Sequence, residues 1–265
     1  GFLVILVLWL VAFYPILPEL VAAWAKHSDN SHSLLVPLIS LYFLWQKRDD
    51  FKRAEFGVSR WGGVLFGVSM LAYIVSYTGA IAVLTRSMLV FSLMGLVLYN
   101  FGWHVFRIAL FPLAFLLFMV PVPESVIGLV AFPLQLFATD VSACLIGAMA
   151  IPVYQEGNML HFVQTNLEVA EACSGIRSMM AMLMISTLFY HVSQRHWSRR
   201  IILIASAIPV AILANIVRVS GTGVLAHFYG DEVARGFLHE FSGMVVFAFG
   251  VLVMLFIYLL IERTG

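Results

Sequence analysis

The chain has 265 residues, 62% apolar and only 11% charged, with a mean hydropathy of +0.98. Soluble domains carry roughly 25% charged residues, so an ordinary globular domain is excluded. A formal net charge of +1 gives no reason to expect a nucleic-acid partner, and two cysteines cannot form a disulfide framework. At about 20 apolar residues per crossing, the composition suffices for roughly seven to nine spans, with little left for an external domain.

Apolar stretches run at Phe2–Ala25, Leu34–Trp45, Gly62–Thr78, Ser87–Tyr99 and Val105–Val120, then at Ser174–Tyr190, Ile201–Val217 and Phe241–Ile261. The expected fold is an all-α polytopic membrane protein with about eight transmembrane helices. Because no basic segment precedes it, the first stretch is expected to be a span and not a signal peptide. The connections are short and no repeat is visible, so residues 1–265 read as a single integral-membrane domain.

Lys47, Arg48, Lys52, Arg53 and Arg60 follow the second stretch, and Arg195, Arg199 and Arg200 follow the sixth. The positive-inside rule places both loops in the cytoplasm. Counting outward, Lys26–Ser33, Pro121–Glu124, the stretch ending at Cys173 and Gly221–Glu240 lie outside, and both termini lie inside. Parity then requires both ends of Ser125–Ala150 to be external. That segment carries Gln135 and Asp140 and is interrupted by Pro133, which predicts an amphipathic element on the outer surface. After it, Val153–Gln155 and Leu160–Val163 flank Glu156-Gly157-Asn158, the pattern of a short β-hairpin.

Glu168, Glu171, Cys173, Arg177, Asn215, Arg218, His239 and Glu240 stand in or beside the later spans. Ionisable groups at membrane depth are costly and point to function. Helix rise sets Cys173 and Arg218 about 27 Å, and His239 about 33 Å, from the inner face. All three reach the outer boundary. A thiolate is a nucleophile whose ionisation nearby cations favour. A histidine can take the thiol proton and return it to a leaving amine, and an arginine can stabilise a thiolate or an oxyanion. The set suggests acyl transfer, with Ala172-Cys173-Ser174-Gly175 placing small neighbours around the nucleophile ahead of a helix.

The supporting residues have more than one reading. Arg177 either anchors substrate, favours the thiolate or pairs with Glu171 or Glu168. Asn215, on the face of Arg218, orients that arginine or a backbone carbonyl. Cys144 reads as a buried structural thiol. His27, His32, His104, His161 and His227 fit no metal-ligand spacing, so neither a metal nor another cofactor is expected. Trp24, Trp45, Trp61, Trp103 and Trp197 fall near span ends, as an interfacial belt would. Two rival classes are a transporter using Arg218 and the acidic residues, and a membrane scaffold. A transporter usually shows repeated halves with a midplane site, whereas here the polar cluster lies at one boundary. A scaffold has no need of a costly Cys, Arg and His at one depth.

The motifs Glu171-Ala172-Cys173-Ser174-Gly175-Ile176-Arg177, Ala214-Asn215-Ile216-Val217-Arg218 and His239 ahead of the last span resemble those of the exosortases, polytopic bacterial cysteine enzymes analogous to sortases and similar to archaeosortases. His32-Ser33-Leu34-Leu35-Val36-Pro37-Leu38 and Pro121-Val122-Pro123 agree as well, although Ser33 stands where many members have Gly after the histidine. The resemblance implies a more variable N-terminal part, 1–120, and a catalytic part, 121–265. It implies Cys173, Arg218 and His239 as the catalytic set, with Glu168, Glu171, Ser174, Arg177, Asn215 and His32 in supporting or substrate-binding positions. Implied too are an inner-membrane location, a site facing the periplasm, and exported protein substrates ending in Pro-Glu-Pro, an apolar helix and a basic tail. The envelope acceptor is left unidentified.

Overall fold

The computed structural model describes residues 2–26, 33–122, 124–163, 165–169, 175–193, 197–230 and 237–263. The chain divides into two compact units, Gly1–Pro123 and Glu124–Gly265.

In the first unit, α1 (Phe2–Phe13) and α2 (Leu17–Lys26) meet at a 64° bend. Next come α3 (Leu35–Gln46), the short basic α4 (Arg48–Arg53), α5 (Arg60–Thr78) and α6 (Ala82–Phe115), extended by a 3₁₀ turn at Leu116–Met119. Inside α6 the backbone leaves helical geometry at Gly102, with φ +81° and ψ −178°. A positive φ of this kind is cheap only for glycine, and a Cβ there would also press on the Gly57 carbonyl at 3.0 Å.

Gly102 reverses the chain. α1 runs antiparallel to the first arm of α6, Phe2 against Phe101 and Trp9 bonded to Ser92 Oγ at 2.8 Å, which brings Phe13 beside Tyr73. Were α6 straight, Met119 would stand about 46 Å beyond that level, whereas the turn at 14–16 and α2 carry Trp24 only about 20 Å from Phe13. Yet the Trp24 indole N–H donates to the Met119 carbonyl at 2.9 Å. The second arm therefore folds back and packs on α3, where Ser40 Oγ donates to the Pro112 carbonyl at 2.8 Å and Phe43 meets Phe111 edge-on.

Small residues set how closely α5 approaches the first arm. A Cβ on Gly62 would fall on the backbone of Leu98 and Tyr99, and one on Gly95 on the Phe66 backbone at 2.6 Å. Buried hydroxyls add polar links, Thr85 donating to Ser76 Oγ at 3.0 Å. This is how helices associate where lipid replaces water.

The second unit opens with α7 (Glu124–Ala148), continues through a three-stranded antiparallel sheet of β1 (Val153–Glu156), β2 (Met159–Phe162) and β3 (Asn166–Glu168), and ends with α8 (Gly175–Val192), α9 (Trp197–Tyr229) and α10 (Phe237–Arg263). The predicted hairpin is there, pairing Val153 with Phe162 across the Gly157 turn, and it gains a third strand. Asn166–Glu168 is too polar and short to announce itself as a strand, but the neighbouring β2 edge supplies its hydrogen bonds.

Among the described residues four helices are long and apolar enough to cross a membrane, Arg60–Thr78, Ala82–Met119, Trp197–Tyr229 and Met244–Arg263, or five if α1 and α2 form one bent span. Eight spans are not shown: Leu35–Gln46, Phe132–Ala148 and Met179–Val192 are shorter apolar helices, and the stretches Ser87–Tyr99 and Val105–Val120 form the two arms of α6, counted here as one helix. Cys144 is exposed, not buried. The buried stripe of α7 is Ala138, Thr139, Ser142 and Ile146, and Cys144 lies off it. That stripe includes hydroxyls, while Leu129, Phe132, Phe137, Leu145 and Met149 are exposed together with Asp140.

Candidate active site

Three helices fix the level of the site through their packing at the opposite end. α8 and α10 run parallel: Ser193 Oγ donates to Glu262 Oε1 at 2.6 Å, Phe189 stacks on Tyr258, and Met182 packs on Gly250. α9 is antiparallel to both. Arg200 donates to the Tyr190 carbonyl at 2.7 Å and covers the Tyr190 ring, while Ser206 meets Met254 and Ala214 meets Gly250. The apolar filling between them is Met182, Ala207, Val210, Ala211 and Met254.

Carrying these registers outward by helix rise, Gly175 at the start of α8 comes to the level of Asn215–Arg218, about 22 Å from the Tyr190–Arg200 contact. The first turns of α10 come opposite the stretch of α9 just beyond Arg218. The sheet packs against α7 and this part of α9. Leu160, Phe162, Leu167 and Val169 form one buried cluster with Ile146, Ile151 and Val219. A Cβ on Gly223 would meet Ile146 at 2.8 Å and Phe162 at 3.0 Å, so glycine is what lets sheet and helix approach. Ser142 Oγ also donates to the Ile216 carbonyl at 3.4 Å, and Asp140 accepts from Gln155, tying α7 to α9 and to β1.

The predicted residues can now be placed. Arg218 is 8% exposed and engaged within the fold, and Asn215, half-buried less than a turn before it, is likewise engaged. Glu168 ends β3 opposite Met159 and is half-buried. Arg177 lies in the first turn of α8 and His239 in the first turn of α10, and the side chains of both lie outside the described part. Cys173, Glu171, Ser174 and His32 lie outside the described residues. Among the described residues, Val169, fully buried, shares a cluster with Val219, the neighbour of Arg218, and Gly175 starts α8 at the Arg218 level. Sequence reasoning missed Thr222 on α9, whose only signal was that it follows Arg218 by four residues.

Long apolar helices joined by short connections make this a multi-pass membrane protein. Residues 24–256 match the transmembrane exosortase family, and the chain belongs to that family. No curated protein and no solved structure matches it.

Proposed function

We propose that the protein is a cysteine peptidase or transpeptidase of the bacterial inner membrane. It cleaves the C-terminal Pro-Glu-Pro sorting signal of exported proteins on the periplasmic side. What supports this reading is that Val169, after β3, packs in one cluster with Val219 beside Arg218, and that the registers of α8, α9 and α10 bring the starts of α8 and α10 to the stretch of α9 at and just beyond Arg218. Family membership supports it.

A substrate's apolar tail helix docks laterally in the bilayer, with its basic end at the cytoplasmic face and its Pro-Glu-Pro segment at the outer boundary. The Cys173 thiolate attacks the scissile carbonyl carbon and the C–N bond breaks. His239, holding the thiol proton, delivers it to the departing amine. Arg218 stabilises the oxyanion of the tetrahedral intermediate. The thioester is then resolved by an amine on an envelope acceptor or by water. No cofactor and no nucleic acid take part.

The test is processing of a co-expressed substrate, followed by gel mobility and the mass of the released tail. Arg218→Ala and His239→Ala variants inserted at normal abundance are expected to leave the substrate full length. Processing at the wild-type rate by both variants rejects the reading.

A further inference from the structure

Beyond Arg218, α9 carries two hydroxyl side chains more than nine-tenths buried, Ser220 at 9% exposure and Thr222 at 4%. The side-chain oxygen of each is buried and has no hydrogen-bond partner among the described residues. Several described hydroxyls elsewhere in this unit are satisfied in the usual way for helices, by a carbonyl three or four residues back. Thr187 bonds Leu183 at 2.7 Å, Ser206 bonds Leu203 at 2.8 Å and Thr139 bonds Gln135 at 2.7 Å. Thr222 makes no such bond. A buried hydroxyl left unpaired costs free energy, and natural folds keep few of them without a reason.

The two hydroxyls face different ways. Ser220 shares its side of α9 with Ile216 and Gly223, which pack on α7 and the sheet. Thr222 follows Arg218 by one turn on the same face, opposite the first turns of α10 by the register of Ala214 with Gly250 and Ser206 with Met254.

We propose that Thr222 is a substrate-binding residue of the site described above, its hydroxyl donating to the carboxylate of the acidic side chain in the substrate peptide beside Arg218. The inference rests on the peptidase reading. A peptide with proline on both sides of an acidic residue lacks N–H donors at two positions and offers carbonyls and a carboxylate. A site for it needs donors, which a guanidinium and a hydroxyl one turn apart supply. Hydrogen bonds to a charged acceptor are the stronger kind.

The experiment uses the full-length protein in detergent with two probes, fluorescein-labelled Pro-Glu-Pro-amide and Pro-Gln-Pro-amide, read by fluorescence polarisation. Processing of full substrates carrying Glu or Gln is measured in parallel. Thr222→Val removes the hydroxyl at constant shape and is expected to weaken the Glu peptide by about 10- to 100-fold and the Gln peptide several-fold less. Thr222→Ser restores most of the affinity, and Ser220→Ala behaves as wild type. The Thr222→Val protein melts at the wild-type temperature or above it, because an unpaired buried hydroxyl has been removed.

Equal affinity of wild type and Thr222→Val for the Glu peptide overturns the proposal, as does a lowered melting temperature with equal losses for both peptides. Carboxylate-selective binding that depends on Thr222, without cleavage of any substrate, sustains the binding role and rejects the peptidase reading. Cleavage by wild type and Thr222→Val at equal rates on both substrates rejects Thr222 alone. A wild-type protein that neither binds nor cleaves rejects both.

Discussion

Ser193 at the end of α8 and Glu262 near the end of α10 are joined by a 2.6 Å hydrogen bond, and this pair sets the register of two parallel helices whose other ends lead to the candidate site. Phe189 with Tyr258 and Met182 with Gly250 continue the same offset. The approach of α8 to α10 along this seam therefore governs how Cys173 and His239 stand to one another in the proposed mechanism.

Gly250 lies at a close contact of the seam. A Cβ there meets only the far end of Met182, a flexible side chain, so Gly250→Ala is expected to be tolerated. Gly250→Leu must push the helices apart, and displacements of about 1 Å at reacting groups can cost on the order of 10² in rate. Processing by Gly250→Leu is predicted to fall by about that factor with membrane insertion intact. Normal processing would separate the seam from the chemistry.

In the first unit the tight contact is backbone on backbone. Gly95→Ala places a methyl group against the Phe66 main chain, which cannot swing aside, and is predicted to destabilise the protein by about 1–3 kcal/mol. Gly67→Ala, with open space around its Cβ, serves as the control. Melting followed by size-exclusion fluorescence distinguishes the two, and equal melting temperatures would show that the α5–α6 contact gives way more easily than its geometry implies.

The topology is tested by labelling in a Cys144→Ser, Cys173→Ser background. Glu55 and Glu156 are both exposed. A cysteine at Glu55 is predicted to react with impermeant maleimide only after the membrane is opened, and one at Glu156 to react in intact spheroplasts. Labelling of both from the same side breaks the assignment.

Much of this architecture is legible in the sequence, and the failures have physical causes. Arg218 is readable because a charge deep in an apolar run stands out, and the kink at Gly102 falls in the polar interruption Asn100–His104 between two apolar stretches. β3 is invisible because Asn166–Glu168 becomes a strand only when β2 offers an edge. Cys144 was assigned to the interior because composition cannot tell which side of an apolar helix faces lipid. That depends on the stripe of Ala138, Ser142 and Ile146 meeting α9. Thr222 is an ordinary residue in a membrane helix until its burial and missing partner are seen.

Arg218 separates two kinds of positive charge. If it only neutralises a thiolate, lysine should retain much of the activity. If its planar fork holds two acceptors at once, lysine fails. The second is predicted: Arg218→Lys should be nearly as defective as Arg218→Ala, by on the order of 10²–10³ in rate, at matched membrane abundance. Cleavage near the wild-type rate by the lysine variant excludes the bidentate role.

In the proposed mechanism Cys173 forms the covalent intermediate. Wild type, Cys144→Ser and Cys173→Ser are co-expressed with a substrate ending in Pro-Glu-Pro, an apolar helix and a basic tail. Processing and any hydroxylamine-sensitive enzyme–substrate adduct are then measured at equal membrane levels. Wild type and Cys144→Ser are predicted to process the substrate and form the adduct, and Cys173→Ser to insert normally and do neither. Efficient processing by Cys173→Ser would contradict the account.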